Sequence, residues 1–255
     1  MEIRNSVAIV TGAASGLGRA VAIRLAAKGA KVAMLDRDGD AVTRAASEIG
    51  GAAKGYAADV TDESSVEAAI ADAAAGGTVR ICVNCAGIGG AGRIVGKKGP
   101  LPLADFNRIL SINLVGTFNV MRLAAARMIE AEPVGDTAER GVIVNTASIA
   151  AFEGQMGQIA YAASKAGVVG MTLPAARDLA QFNIRVCTIA PGLFETPLIG
   201  GIPEPVKAQI EAQLEFPKRA GKPDEFAFTV EHLIENPYIN AEVIRLDAGT
   251  RPPPR

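Results

Sequence analysis

Val7 to Lys28 reads VAIVTGAASGLGRAVAIRLAAK, and its succession of apolar run, glycine turn and Ala/Leu-rich segment decides the fold. Val7 to Val10 has the length and branched side chains of a buried strand, and the apolar spacing from Leu17 to about Lys28 is helical. Between them, Gly12 lets the chain turn sharply, Gly16 lets backbone approach a phosphate, and Gly18 lets the helix sit close on the sheet. The helix start adds unpaired N–H groups and the positive end of the helix dipole, which suit an anion. The spacing is G-x-x-x-G-x-G, so the general G-x-G-x-x-G fingerprint is missed. A glycine turn can be a plain connector, but between a strand and a helix it points to cofactor binding.

Working outward, Lys31 to Asp36 reads as a second strand ending in a carboxylate 24 residues after Gly12. A carboxylate there can accept both hydrogen bonds of an adenosine ribose and would repel a 2′-phosphate, which favours NAD over NADP. Arg37 follows directly and can offset that repulsion. The alternation continues with a helix from about Gly39 to Ile49, a short strand ending near Ala58-Asp59-Val60, and a helix opening at Asp62, where acidic residues and Ser suit an N-terminus. VRICVN is a fourth strand running into Asn84-Cys-Ala-Gly87, whose small residues leave space for adenosine. Residues 88 to 102 are Gly-rich, carry Arg93, Lys97 and Lys98, and read as a mobile loop. One helix is expected from about Leu103 to Ala131. Asn113 near its middle is a weak helix former and is expected to face solvent or another subunit.

Val142 to Ser148 is a fifth strand that delivers Ser148 to its C-terminal end, the side on which open parallel sheets bind ligands. The next helix runs to about Gln181 and carries Tyr161 and Lys165, four residues apart and therefore on one face. A free phenol with a pKa near ~10 is a poor base at neutral pH. A close ammonium would favour the phenolate and bring the group toward the working pH. An isolated Tyr-x-x-x-Lys is common on ordinary helices, so the pair gains meaning only from its surroundings. Asn183 to Ala190 is a sixth strand ending in Pro191-Gly192, a lid is expected at about 193–217, and a helix (Pro223 to Glu235) and a strand (Glu242 to Asp247) complete an α/β pattern. The tail RPPPR is too short to be a module.

The whole-chain totals narrow the field of partners. With 255 residues, a net charge of -1 and no basic arm or stripe, the chain gives no nucleic-acid signal. No run of ~20 apolar residues suggests a bilayer span, and the first strand starts too near Met1 for a signal peptide, so a cytoplasmic protein is expected. Three cysteines make no disulfide framework. Cys82 and Cys85 spell C-x-x-C, but a strand sends residues three apart to opposite faces. One histidine, His232, with no clustered Cys/His ligands, supports neither a zinc site nor a Ser-His-Asp triad.

The glycine turn Thr11 to Gly18, Asp59-Val60, Asn84-Cys-Ala-Gly87, Asn113, Ser148, Tyr161-Ala-Ala-Ser-Lys165 and Pro191-Gly192 occur in the order and rough separations of one family. The chain resembles the short-chain dehydrogenase/reductase family over essentially its whole length. That resemblance implies a single Rossmann-type domain over residues 1–255, a doubly wound parallel sheet of seven strands with helices on both faces. It also implies a homotetramer packed through the long helices of Asn113 and Tyr161. Tyr161 would be the acid/base, Lys165 would hold the nicotinamide ribose and depress the Tyr pKa, Ser148 would orient the substrate oxygen, and Asn113 would hold a proton-relaying water. For the cofactor, NAD, the implied phosphate contacts are Gly12, Ser15, Gly16, Leu17 and Gly18. Asp36 would bind the adenosine ribose and Asp59 and Val60 the adenine. Asn84, Ala86 and Gly87 would follow along the dinucleotide, with Pro191, Gly192 and Thr196 at the carboxamide beside Tyr161 and Lys165. No metal is implied.

FEGQMGQIAYAASKAGVVGMTLPAARDLA, IAPGLFETPL and ENPYINAEVIRLDAG look very like type-2 3-hydroxyacyl-CoA dehydrogenases, also described as type-10 17β-hydroxysteroid dehydrogenases. The implied reaction is reversible oxidation of a (3S)-3-hydroxyacyl-CoA, including branched short chains, with Arg93, Lys97 and Lys98 placed to meet the CoA phosphates. Glu195 and the RPPPR tail depart from the family pattern. The rival readings are an NADPH-dependent reductase of 3-oxoacyl chains on acyl carrier protein, a steroid or secondary-alcohol dehydrogenase, and a non-catalytic scaffold in an RNA-processing complex.

Overall fold

Val7 and Ile9 pack on one side of the first strand and Ala8 and Val10 on the other, and all four are buried. A strand with both faces covered needs apolar residues at every position, which is why this run does not alternate with polar ones. A computed structural model describes residues 1–97, 99–197, 211–212 and 214–254. In chain order the elements are β1 (Val7–Thr11), α1 (Gly16–Ala27), β2 (Lys31–Asp36), α2 (Gly39–Ile49), β3 (Ala53–Ala57), α3 (Glu63–Ala75) and β4 (Val79–Asn84). There follow β5 (Val95–Gly96), β6 (Gly99–Pro100), α4 (Leu103–Leu110), α5 (Gly116–Ile129), β7 (Gly141–Thr146), α6 (Ile159–Ala180), β8 (Ile184–Pro191), α7 (Pro223–Glu235) and β9 (Val243–Leu246).

The main sheet has seven strands in the order β3-β2-β1-β4-β7-β8-β9, and every neighbouring pair is parallel. This is the expected doubly wound α/β sheet. One core joins β1 and β4 to α1, α2 and α7, and a second lies on the opposite face under α3, α5 and α6. Cys82 belongs to the second core and Cys85 packs against the first, so C-x-x-C does divide between faces, and all three cysteines are free. Strand order reverses between β1 and β4, and the crevice at such a switch point is where open parallel sheets hold ligands.

Five expectations change. The long helix is continuous in path, but Ser111–Val115 forms a π-helical turn between α4 and α5. Such a turn inserts a residue into the helical ladder and often marks a functional position. Asn113 within it is fully buried rather than facing solvent. The 27-residue stretch Leu103–Ile129 has no unbroken apolar run, yet its most apolar 18-residue window reaches a mean hydropathy of 1.4, enough by length and composition for a bilayer span. Half of its most apolar window is buried in the protein, against β4 and α6 among other elements, as expected of a core helix. The third strand ends at Ala57, leaving Asp59 and Val60 beyond it, and the 88–102 loop contains the antiparallel pair β5–β6.

The two strands flanking the switch point are tied by one hydroxyl. Thr11 Oγ1 accepts hydrogen bonds from the backbone N–H groups of both Cys85 and Ala86, each at 3.1 Å. Thr11→Val keeps the shape and deprives both donors, and one unsatisfied buried donor costs about 1–3 kcal/mol. We expect Thr11→Val to lose about 2 kcal/mol or more in urea denaturation and Thr11→Ser to stay near wild type; equal behaviour of the two variants would show that this hydroxyl does not hold the strands.

Candidate active site

Every candidate residue stands at or just beyond the C-terminal end of a strand, or on a helix that packs there. Thr11 leads from β1 into Gly12, where φ is +62° and a Cβ would lie 2.9 Å from the backbone of Ala86. A Cβ on Gly18 would overlap the Gly12 carbonyl, so helix α1 approaches the turn as closely as it does only because that residue is glycine. Asp36 ends β2, and its carboxylate accepts from Ala14 N and Asp38 N at 3.1 Å each, binding the glycine turn to the next strand. Asp59 accepts from the backbone and hydroxyl of Thr61, at 2.9 and 2.7 Å, and these bonds hold its carboxyl below the usual range.

Two clefts run along this edge. A smaller one of about 150 Å³ is lined by Gly12, Asp36, Arg37, Asp59, Val60 and Ala86 among others. A larger one of about 370 Å³ contains Leu17, Ser148, Tyr161, Lys165, Pro191, Gly192 and Thr196. They share Gly87 and Ile88, so the two form one path from the acidic end of β2 to the Tyr–Lys pair. A Cβ on Gly87 would come within 3.2 Å of Asn113 Oδ1 and 3.5 Å of Lys165 Nζ, so glycine keeps the junction open above the lysine. This elongated path, with a glycine-rich turn at one side and a carboxylate at its far end, fits a dinucleotide.

Most of the expected site residues come together here. Ser148 is buried, caps the 3-10 turn Ile149–Ala151 by accepting from Ala150 N at 3.2 Å, and lines the larger cleft. Tyr161 and Lys165 are one turn apart on α6, and Lys165 Nζ donates to the carbonyl of Thr146 at 2.8 Å. Gly16 packs near Thr196, since a Cβ there would meet the Thr196 side chain at 3.4 Å. Ser15 precedes α1 without a side-chain cap bond. Asn84 does not join them: its side chain is buried in the sheet, donating to Asn145 Oδ1 at 2.9 Å, and lines neither cleft. Glu195 is exposed and also stays outside the larger cleft. Arg93 and Lys97 are exposed; Lys98 and lid residues 198–210 and 213 lie outside the described residues.

The expected acidic phenol is not what the geometry produces. Burial pushes the Tyr161 hydroxyl above its ordinary value, and a hydrogen bond with Ser148 opposes that rise. Lys165 Nζ lies 5.9 Å from the Tyr161 ring centroid, and burial pulls its own pKa from 10.5 to about 8, with Cys85 acting in the other direction. Desolvation therefore dominates at both members of the pair.

Sequence reading missed the supports of this pair. Asn113 Oδ1 accepts from Ile88 N at 2.8 Å, and its Nδ2 donates to Ile88 O at 3.0 Å and Ser164 Oγ at 3.1 Å. Ser164 Oγ in turn donates to the Tyr161 carbonyl at 2.7 Å. The π-helical turn thus clamps the 88–90 loop to α6 just behind the phenol. The resemblance had already placed Asn113 at the site, and the only further signal was a polar residue in a helix interior. Glu153, Gln155, Gln158, Thr250 and Pro252 also line the larger cleft; the first three fall within the quoted FEGQMGQ stretch, yet no site role was expected for any of the five.

The family model for short chain dehydrogenases matches residues 6–206. The chain belongs to the short-chain dehydrogenase family. The family is one of nicotinamide-dependent oxidoreductases, and the continuous cleft supplies the required length. The human protein named 3-hydroxyacyl-CoA dehydrogenase type-2 is 51% identical to this dehydrogenase, covering 99% of this chain and 98% of its own. The crystal structure of 3-hydroxyacyl-CoA dehydrogenase type-2 from Mycobacterium avium superposes with a TM-score of 0.95 at 46% identity, covering 98% of each chain. More distant is the 3-oxoacyl-acyl-carrier-protein reductase of Thermotoga maritima, 35% identical over 98% of this chain and 99% of its own length.

The buried lysine makes the site a source of instability. A fall from 10.5 to about 8 corresponds to a penalty of about 3 kcal/mol on the charged form. Because the folded pKa lies below the unfolded one, the penalty is fully present below pH 8 and is relieved as pH rises through 8 toward 10.5. Lys165→Met removes it at the loss of one hydrogen bond of about 1 kcal/mol. We expect this variant to be about 1–2 kcal/mol more stable than wild type at pH 7, with the gap closing near pH 10. A less stable variant at pH 7, measured by urea unfolding, would mean that the ammonium is well solvated or paired.

Proposed function

We propose that this dehydrogenase interconverts (3S)-3-hydroxyacyl-CoA and 3-oxoacyl-CoA, of short or branched acyl chain, with NAD. The observation that carries the reading is the meeting of Ser148, Tyr161 and Lys165 in one cleft that continues to Asp36. The extent of similarity to the 3-hydroxyacyl-CoA dehydrogenases, over nearly full length, supports the substrate class above the reductase alternative. When bound, the nicotinamide supplies the hydride acceptor or donor.

The chain's own residues handle position and the proton. Ser148 and Tyr161 would hold the substrate oxygen between two hydroxyls, fixing the reacting carbon against the cofactor face near Pro191-Gly192 and Thr196. In oxidation Tyr161 Oη would take the proton of the substrate hydroxyl only as its own proton passes on to the water held by Asn113, and in reduction the phenol would donate its proton to the oxygen and be reprotonated by the same route. Lys165 would hold the nicotinamide ribose, and Asn113 the proton-relaying water, from its place behind the 88–90 loop. The acidic end, with Asp36 on the adenosine ribose and Asp59 and Val60 beside the adenine, favours NAD. Gly12, Gly16, Gly18 and Leu17 would pass the pyrophosphate. Arg93 and Lys97 are exposed on the loop next to the cleft, where the CoA phosphates would meet them.

Exposed apolar side chains on the long helices support a homotetramer. Val115 and Phe118 are 54% and 48% exposed at the start of α5, and Leu173 is 44% exposed on α6. A tetramer packed through these helices would cover them; light scattering on the purified protein tests this, and a monomer would remove the proposal.

Tyr161→Phe is expected to lower turnover of 3-hydroxybutyryl-CoA by about 10²–10⁴-fold, the usual contribution of general acid–base catalysis, while NAD binding persists. A wild type that binds NAD but oxidises no acyl-CoA, steroid or secondary alcohol would favour a scaffold instead. Arg37 lines the same cleft as Asp36, so cofactor choice is tested directly. Wild type should prefer NAD, and Asp36→Ala should shift the ratio of NADP to NAD activity upward; an unchanged ratio would mean that Asp36 does not meet the ribose.

A further inference from the structure

The final residues are built into the wall of the larger cleft. After β9 the chain reverses at Asp247, whose carbonyl accepts from Thr250 N at 3.0 Å and whose carboxylate accepts from Gly249 N at 3.1 Å. Ala248 and Gly249 both adopt positive φ, 51° and 74°, to make the turn. Arg245 anchors the returning segment: Nη2 donates to the Thr250 carbonyl at 3.1 Å, while Nη1 and Nε reach Glu153 and Asp247, each at 2.8 Å. Farther along, Gln155 Nε2 donates to the Pro253 carbonyl and Met156 N to the Pro254 carbonyl, both at 3.0 Å.

The tail therefore lies along residues 153–156. On the next stretch of that segment, Gly92 N donates to the Gly157 carbonyl at 2.7 Å, so the cleft wall is held from the 88–102 loop as well as from the tail. Two tail residues, Thr250 and Pro252, line the cleft together with Ser148 and Tyr161. Thr250 is 95% buried by its 5% exposure, and its Oγ1 has no hydrogen-bond partner among the described residues. The proline run explains the stiffness: each ring fixes φ and removes a donor, leaving only carbonyls, which is what Gln155 and Met156 use.

We propose that Thr250–Pro254 is a fixed wall that limits the length of the substrate's acyl chain, with Pro252 as its apolar stop. The inference rests on the acyl-CoA reading above for the identity of the chain, but not for the presence of the wall. In a cleft of about 370 Å³ a wall held by its own backbone yields little to a longer chain. Flexible residues in the same place would give way.

Three variants test it: deletion of 252–255, the triple change P252G/P253G/P254G, and Thr250→Val. Each is assayed with NAD on 3-hydroxyacyl-CoAs from four to twelve carbons and, in parallel, on plain secondary alcohols of increasing length. For the deletion and the triple glycine variant, the ratio of kcat/KM for long over short chains should rise about tenfold or more, a discrimination expected from a few methylenes against an apolar wall. Thr250→Val, which keeps the shape of the wall, should leave the length profile unchanged. Unchanged length profiles in both tail variants would overturn the wall, as would a uniform loss on all chains accompanied by a lower melting temperature. An intact protein that ignores acyl-CoAs but oxidises alcohols would end the acyl-CoA reading and still leave the wall tested on the alcohol series.

Discussion

The close approach of β1 and β4 at the sheet's switch point is the constraint on which the rest depends. A Cβ on Gly12 would stand 2.9 Å from the backbone of Ala86, and Thr11 Oγ1 closes the same gap by accepting from Cys85 and Ala86. With those ends together, the glycine turn, the carboxylate of Asp36 and the small residues at 86–87 become one continuous trough. Anything larger at the turn would part the strands and divide the trough from the Tyr161 side.

Burial then sets the chemistry. Tyr161 and Lys165 sit on the buried side of α6, and the same desolvation acts on both, upward on the phenol and downward on the ammonium. Burial moves each group toward its neutral form without making the lysine neutral at pH 7. The pair is held in place by unconnected parts of the chain: the Thr146 carbonyl at the lysine, Ser148 beside the phenol, and the Asn113–Ser164 bridge to the Tyr161 carbonyl. A buried ionisable constellation of this kind is unfavourable by itself and persists because the sheet and helices around it determine its shape.

The elements nearest the glycine turn were legible because local rules agree there: β1, α1 and β2 follow from an apolar run, a turn and a second apolar run ending in Asp36. The cap at Asp62 was legible too, since it accepts from the first turn of α3, whereas the cap Asp38 gives α2 went unread. Asn113 shows where that reading stops. A polar residue in a helix interior suggests exposure, yet a π-helical turn buries it and gives its amide three partners on two other segments. Asn84 shows the converse, a motif residue whose side chain serves the sheet through Asn145.

By itself the sequence determined the order of strands and helices, the two apolar faces of the sheet and the residue types of the site, because periodicity, turn chemistry and motif spacing act over a few residues. Only the tertiary structure decided the titration of Tyr161 and Lys165, the clamp made by Asn113, and the place of the C-terminal prolines beside the cleft. Those depend on desolvation and on contacts between segments about 25 to 100 residues apart, such as Asn113 with Ile88 and Gln155 with Pro253. Local sequence carries no record of which distant backbone will surround a charge or accept a hydrogen bond, so these were settled only when the chain closed on itself.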